Sequence, residues 1–144
     1  MAVRIAPLRG SDYDAVIDLW RRADLISRVG KRDERRAFTR QLRVNGGLYL
    51  GAYDGDRLVG TVLGTHDSRK GWVNRIAVDP SYQGRGIGTR LLRACEKALV
   101  RKGIRIFAAL VNEENESSRR LFEKEGYEFL EGVLYVRKKV DPDV

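Results

Sequence analysis

Cysteine and histidine occur once each, which limits the kinds of site that this chain can build. Because Cys95 has no second cysteine to pair with, an intrachain disulfide and a cysteine-built metal site are both excluded. His66 stands alone and no carboxylate cluster shows the spacing of metal ligands, so the sequence predicts no metal. Cys95 falls on the apolar side of a predicted helix, and we expect a buried thiol there rather than a nucleophile.

Long hydrophobic runs are also missing. No stretch approaches the roughly 18 apolar residues that cross a bilayer, and the opening MAVRIAPLRG lacks the apolar region of a signal peptide. We therefore expect a cytoplasmic protein without a membrane partner. No internal repeat, linker or low-complexity segment interrupts the 144 residues, which predicts a single domain over residues 1–144.

Positive charge is in excess: 28 lysines and arginines face 20 acidic residues, a formal net charge of +8. Such a balance indicates an anionic partner, which leaves nucleic acid, a polyanionic cofactor or only a solvated surface as readings. Basic residues are densest over residues 21–43. This cluster is either a solvated helix face or a contact for a substrate or a phosphate.

Hydrophobic periodicity predicts a mixed sheet flanked by helices. The two central strands, LYLGAY and RLVGTVLGT, are joined by an Asp-Gly turn and indicate a hairpin. The apolar run IRIFAALV is typical of a strand in the middle of a sheet. The expected strands are 3–8, 48–53, 57–65, 71–78, 104–111 and a terminal hairpin of 127–130 and 133–140 that turns at Glu131-Gly132; the expected helices are 11–24, 32–44, one from the glycine loop to Gly103, and 116–125.

The stretch AVDPSYQGRGIGTRLL, residues 77–92, places a glycine-rich loop between a strand and a helix. A helix N-terminus leaves about four backbone N–H groups without partners, and glycines let an anion approach them closely. Gly84, Gly86 and Gly88 alternate in this loop, which predicts a phosphate or pyrophosphate site. No lysine follows as in the ATP-binding P-loop, and the third glycine comes one residue early for a dinucleotide fingerprint. A purely structural glycine turn is the other reading.

These residues resemble the GNAT N-acetyltransferase superfamily. QGRGIG at residues 83–88 fits the Q/R-x-x-G-x-G/A signature of that family, and IAVDPSYQ before it and NEENESSRRLFEKEGY after it are similar as well. The order of the remaining elements also matches, so the resemblance covers nearly the whole chain. It implies an α/β fold of the GNAT type, with a splayed strand pair around the cofactor.

The resemblance also implies a donor, acetyl-CoA, and the residues that hold it. In the family, backbone N–H groups of the loop bind the pyrophosphate, and the preceding bulged strand pairs with the pantetheine arm. A backbone N–H of that strand can polarise the thioester carbonyl, and an asparagine that opens the late helix contacts the cofactor. The matching residues are Ile76, Ala77, Val78, Gly84, Arg85, Gly86, Ile87, Gly88, Thr89 and Asn115.

The usual acid and base of the family are absent. Phe122 stands where many members have a tyrosine that protonates the leaving thiolate, and residues 71–78 contain no carboxylate. Glu113 is the candidate replacement base, with Glu114, His66, Asp67 and Tyr135 as further candidates. Deprotonating a lysine near pH 7.5 costs about 4 kcal/mol, but an α-amine costs only about 0.4 kcal/mol. A site with weak base chemistry therefore favours a low-pKa amine or a relay of ordered water.

Three functions remain open on the sequence. The resemblance implies an N-acetyltransferase that moves an acetyl group to a primary amine by direct attack in a ternary complex. The missing acid and base leave a non-catalytic acyl-CoA-binding module as an alternative, and the net charge leaves a basic nucleic-acid-binding domain, although no nucleic-acid motif supports it. The basic second helix and the terminal VRKK indicate an acidic acceptor. The family often dimerises, which makes a homodimer a further expectation.

Overall fold

The computed structural model describes residues 2–23 and 30–144. Five strands form one mixed sheet in the order β1-β2-β3-β4-β5, in which the first three pairs are antiparallel and β4 and β5 are parallel. This confirms the expected fold class. The strands are β1 (Val3–Pro7), β2 (Tyr49–Asp54), β3 (Arg57–His66), β4 (Gly71–Val78) and β5 (Phe107–Ala108).

The helices follow the periodicity of the sequence. A glycine with a left-handed φ of 88° or 89° lies just beyond the end of each of the two later helices, at Gly103 and Gly126, because this conformation suits glycine at a C-terminus. The basic second helix is confirmed and is preceded by a 3₁₀ turn, Lys31–Asp33. The helices are α1 (Tyr13–Arg22), α2 (Arg35–Val44), α3 (Ile87–Arg101) and α4 (Glu116–Lys124).

Two apolar layers cover the two faces of the sheet. On one face Leu91, Cys95 and Leu99 of α3 pack on Val59 and Val73 of the central strands, all of them buried. Cys95 is inaccessible to solvent, and burial raises the pKa of its thiol to about 12, as expected of a structural cysteine. The other layer lies beneath α1 and α2 and contains Val16, Leu19, Trp20, Phe38, Tyr49 and Leu63.

The prediction for the end of the chain is wrong. Residues 104–111 do not form a central strand: β5 has two residues and lies at the sheet edge. Residues 127–140 form no strand, although Gly132 has the left-handed φ of 79° that a turn there requires. The two errors have one cause, because a strand needs a hydrogen-bonded neighbour and the terminal segment does not pair beside β5.

None of the helices in the described ranges, 2–23 and 30–144, is long and apolar enough to cross a membrane.

Candidate active site

The strand before the glycine loop is bulged. Thr61 of β3 faces Ala77 of β4, but Leu63 faces Asn74, so one extra residue of β4 is inserted between these two pairs. Arg75 lies in the bulge with a φ of 49°, a conformation uncommon for a residue with a side chain. On its other side β4 pairs with β5 only at Gly71 and Trp72. The strands therefore separate beyond Trp72, and the second half of β4 has a free edge on that side.

Buried polar contacts hold the bulge in place. The indole N–H of Trp20 donates to Thr61 Oγ1 at 3.0 Å, and the Thr61 hydroxyl donates to the carbonyl oxygen of Arg75 at 3.0 Å. The Arg75 guanidinium lies 5.0 Å from the centroid of the Trp20 ring and forms a 2.8 Å ion pair with Asp33. Asp33 also accepts from the N–H of Gly30. The bulge is thus tied to α1 and to the segment that begins α2.

The glycine loop has the geometry expected of an anion site. Gly84 and Gly86 have φ values of 78° and 76°, and a Cβ added to either would meet no protein atom within 4 Å. Gly86 is the N-cap of α3, so the first N–H groups of the helix, from Ile87 onward, have no partner within the helix. These donors and the positive end of the helix dipole face the same open space.

A cleft of about 500 Å³ joins this loop to the free half of β4 and to one face of α4. Among the described residues that line it, Arg120 and Lys124 are basic and none is acidic. Lys124 Nζ donates to Thr89 Oγ1 at 3.2 Å, which connects α4 to the first turn of α3. The predicted site residues that line the cleft are Ile76, Ala77, Val78, Gly84, Gly86, Ile87, Gly88 and Thr89.

Two predicted cofactor residues, Arg85 and Asn115, do not line the cleft. The guanidinium of Arg85 lies 5.0 Å from the centroid of the Tyr82 ring, and Tyr82 does line the cleft. Asn115 is the N-cap of α4, where its side chain accepts from the N–H of Ser118 at 3.1 Å. The cofactor contacts of both residues stay predictions.

Sequence reasoning missed several residues of α4 and of the loop. Ser117, Arg120 and Lys124 recur at helical spacing after Asn115 and therefore lie on one face of α4. That spacing is a signal in the sequence that could have predicted them. The cleft residues that were not predicted are Tyr82, Gln83, Ser117, Ser118, Arg120, Leu121 and Lys124.

Asp79 links the loop to the rest of the molecule. This carboxylate is 3% exposed; one oxygen accepts from the N–H and hydroxyl of Ser81, and the other forms ion pairs with Arg22 of α1 and Arg57 of β3. Burial alone would raise the pKa of Asp79, but the hydrogen bonds from Ser81 and Arg22 outweigh it and hold the pKa at about 2. The turn that orients the loop is thereby fixed by its own hydrogen bonds and by two other elements, α1 and β3.

Phe122, which stands where the resemblance would lead us to expect a tyrosine, belongs to the core. Phe122 is 3% exposed and makes an edge-to-face contact with Tyr127, with 4.9 Å between ring centroids. The Tyr127 hydroxyl donates to Glu96 at 2.7 Å, and burial together with this hydrogen bond raises the pKa of Tyr127. Phe122 has no acidic proton, and the hydroxyl of Tyr127 is bound to Glu96. Neither side chain is therefore arranged to protonate a group in the cleft.

The candidate replacement bases are not gathered at the cleft. Glu113 and Glu114 are exposed in the loop before α4, and neither is among the residues that line the cleft. His66 Nδ1 accepts from the N–H of Ser68, and Asp67 accepts from the N–H groups that follow it, which lowers the pKa of Asp67. Tyr135 is 66% exposed in the terminal segment. Among the residues that the structure describes, no group of three or more histidine, cysteine or acidic side chains could hold a metal ion.

Comparison with known proteins gives one consistent family. Residues 13–127 match the model of the Acetyltransferase (GNAT) family. The chain is 31% identical over 143 residues to Acetyltransferase SG1711 of Sodalis glossinidius, a match that covers 99% of this chain and 98% of that protein.

Two solved structures show the same fold. The PaiA N-acetyltransferase of Thermoplasma acidophilum, in complex with coenzyme A, has a TM-score of 0.80 at 21% identity and covers 89% of this chain and 91% of that one. YncA of Salmonella typhimurium, a putative acetyltransferase with acetyl-CoA, has a TM-score of 0.72 at 18% identity, over 89% and 80% of the two chains. With the family model spanning most of the sequence, this chain belongs to the GNAT acetyltransferase family.

Proposed function

We propose that the protein is an acetyl-CoA-dependent N-acetyltransferase whose donor binds in the cleft between β4, the glycine loop and α4. The observation that carries the proposal is the convergence of free helix N–H groups, two left-handed glycines and two basic side chains on one open space. This set of donors and charges fits a pyrophosphate, because it offers hydrogen bonds and positive potential without any carboxylate in the lining. Residues 1–144 would then act as one domain, in the cytoplasm.

Bound acetyl-CoA supplies an acetyl group activated as a thioester. The chain supplies the position of the reactants and the polar groups around them. The free edge of β4 offers backbone groups for the amides of the pantetheine arm. Asp79 donates its N–H to Val59 and Ala77 pairs with Thr61, so the N–H groups of Ile76 and Val78 point to the free edge, where one of them could polarise a carbonyl. The amine nitrogen bonds to the acetyl carbon, the carbon–sulfur bond breaks, the amine loses a proton and the thiol gains one. Holding the two reactants together accounts for several kcal/mol of the barrier.

The acceptor amine would approach from the face of the sheet that carries α1 and α2. Asn74 of β4, the residue before Arg75 in the bulge, pairs with Leu63 of β3. Leu63 belongs to the layer beneath α1 and α2, so the side chain of Asn74 lies on that same face of the sheet. Since none of the candidate bases lines the cleft, we propose that the amine arrives largely neutral or loses its proton through water. An α-amine meets this condition far better than a lysine side chain near neutral pH.

The test is the rate of CoA release with two peptides of one sequence, one with a free N-terminus and no lysine, the other with a blocked N-terminus and one lysine. At pH 7.5 we expect the first to react faster, and the advantage should shrink as the pH approaches 10. Acetyl-CoA binding without turnover of any amine would favour the non-catalytic acyl-CoA-binding module instead.

The proposal includes a homodimer. Val133, Leu134 and Val136 of the terminal segment are 71%, 84% and 82% exposed, and apolar surface of this kind supports association between copies. Sedimentation at micromolar concentration would measure the mass, and a monomer throughout would remove this part of the proposal.

A further inference from the structure

The outward face of α2 carries a stripe of arginines that the proposed function does not use. Phe38 anchors the inner face of the helix, 5.5 Å from Tyr13 and 6.1 Å from Tyr49 between ring centroids. At 100° per residue, Arg36, Arg40 and Arg43 lie on the side of the helix opposite Phe38. All three are exposed.

The guanidinium groups of this stripe are not neutralised by carboxylates of the described residues, unlike those of two other exposed arginines. Arg35, on the same helix, pairs with Asp14 at 2.7 Å, and Arg93 of α3 pairs with Glu125 at 2.7 Å. By contrast, within residues 2–23 and 30–144 no carboxylate lies within 4.0 Å of a stripe guanidinium, and α2 itself contains no acidic residue. Like charges three and four residues apart repel each other by a few tenths of a kcal/mol each. An anionic partner would relieve that repulsion.

A second basic segment lies close in sequence to a contact with the turn before α2. The end of the chain returns to the turn before α2, where Lys31 pairs with Asp141 at 2.8 Å and donates its backbone N–H to the carbonyl of Asp143. Residues 137–139, Arg-Lys-Lys, are all exposed, and the last of them is two residues, about 7 Å of chain, from Asp141. We call Arg36, Arg40 and Arg43 together with residues 137–139 the basic rim.

The rim is connected to the bulge. Asp33, two residues before α2, forms the 2.8 Å ion pair with Arg75, so the start of α2 is fixed against the part of β4 where the acetyl group would lie. From there to the outer face of α2 is about one helix diameter, roughly 10–12 Å. An extended chain covers that distance in about three to four residues.

Resting on the proposed function, we infer that the acceptor is a polypeptide with acidic residues that begin about four positions from the acetylated amine and lie on the basic rim. A peptide is favoured over a nucleic acid for two reasons. Acetyl transfer needs a nucleophilic amine, and nucleic acids offer no aliphatic one; and the stripe has no aromatic side chain between its arginines on which bases would stack.

The experiment uses three twelve-residue peptides with the same free N-terminus. One has glutamates at the fourth to seventh positions, one has glutamines there, and the third has its glutamates at the ninth to twelfth positions. For the wild type we expect kcat/KM for the first to exceed that for the second by about tenfold, with the third close to the second. Fluorescence anisotropy of the same peptides, labelled at the C-terminus and measured with saturating CoA, gives binding independently of turnover.

Two matched variants locate the effect. In one, Arg36, Arg40 and Arg43 are each changed to Gln; in the control, three exposed basic residues of the α3 end, Lys97, Arg101 and Lys102, are each changed to Gln, for the same loss of charge. We expect the first variant to lose most of the preference for the near glutamates and the control to keep at least half of it.

Three results would overturn the inference: no preference among the peptides, equal losses in both variants, or tighter rim-dependent binding of a single-stranded 20-nucleotide DNA. Calorimetry with acetyl-CoA separates this failure from that of the proposed function. If the wild type binds acetyl-CoA but shows no acidic preference, only the rim inference fails; if it does not bind acetyl-CoA, the proposed function fails as well.

Discussion

Helix α3 and the terminal segment are both rich in apolar residues, yet they differ completely in burial. Six of the 15 residues of α3 are buried, whereas every residue from 128 to 140 is exposed. α3 is amphipathic and needs only one surface to pack on, which the sheet provides, and its own hydrogen bonds are internal. The terminal segment needs a strand beside it as well, and β5 offers only two paired residues. Apolar composition therefore leads to a buried helix or strand only when the backbone groups of the segment also find hydrogen-bond partners.

The same contrast separates the side of the molecule that we propose for the donor from the side that we propose for the acceptor. The loop, the start of α3 and the bulge are held by buried contacts through Asp79 and Thr61. On the acceptor side, the outer face of α2 and the end of the chain present exposed charge instead. A preformed donor site suits a ligand of constant shape, and a charged rim suits recognition at longer range.

The largest expected effect is a difference in unfolding free energy between a variant of α3 and a variant of the terminal segment. Leu99→Ala removes a side chain with no solvent exposure from the core, and we expect the free energy of unfolding to fall by about 3 kcal/mol. Val140→Ala alters a side chain of the terminal segment that is 99% exposed and is not part of the apolar surface proposed for the homodimer, and it should change that free energy by less than about 0.5 kcal/mol. Urea denaturation of both variants measures the difference. Equal losses would show that the terminal segment packs in solution.

The next prediction concerns the charge tolerated by the loop. Asn and Asp both adopt left-handed backbone conformations, so Gly86→Asn and Gly86→Asp place side chains of similar size, one neutral and one negative, at a φ of 76°. We expect the aspartate to weaken acetyl-CoA binding about a hundredfold, about 2.7 kcal/mol, and the asparagine to weaken it several-fold. Calorimetric titration gives both constants, with circular dichroism as the check on folding. Identical constants would mean that no anion binds at Gly86.

Much of the donor side follows from the sequence, and the reasons are local. The alternating glycines, the Asp79-Pro80 turn and the period of Leu91, Leu92 and Cys95 all act within a few residues, so the strand, the loop and α3 were predictable. The contacts of Asp79 with Arg22 and Arg57 span 57 and 22 residues and leave no local signal.

The acceptor side and the end of the chain were harder to predict, because a strand forms only where a neighbouring strand is there to pair with it. IRIFAALV and VLYVRKKV have the composition of strands, but pairing is a property of neighbours rather than of a segment. The basic cluster over residues 21–43 was visible in the sequence. The sequence did not show which arginines of the cluster form ion pairs and which do not. Two residues of the cluster, Asp24 and Arg28, lie outside the described residues.

A smaller effect is expected at the carboxylate that links the two sides. Asp79→Asn removes the charge that Arg22 and Arg57 contact, and we expect the free energy of unfolding to fall by about 1–2 kcal/mol at pH 7 and acetyl-CoA affinity to fall several-fold. Since the folded-state pKa of Asp79 is lowered to about 2, its contribution is complete above about pH 4, the unfolded-state range. The gap between wild type and variant should therefore close as the pH falls from about 4 to about 2. Denaturation curves at pH 7 and in acid test this, and a gap independent of pH would remove the role given to the ionised carboxylate.

The smallest effect is expected at the rim of the donor cleft. Lys124 is exposed, and Lys124→Met should weaken acetyl-CoA binding by about 0.5 kcal/mol, roughly twofold, at low salt. The difference should disappear at high ionic strength because salt screens exposed charges. Lys102→Met, an equal change of charge outside the cleft, is the control and should leave affinity unchanged. An equal loss in the control would show that only net charge matters.

The most direct test of the donor site is a calorimetric titration of the folded wild-type protein with acetyl-CoA, with dephospho-CoA and ATP as comparison ligands. The geometry of the cleft predicts saturable binding of acetyl-CoA with a dissociation constant on the order of micromolar, and no comparable binding of ATP. A folded sample that binds ATP as tightly as acetyl-CoA, or binds neither, would contradict the assignment of the glycine loop and the cleft to the acetyl donor.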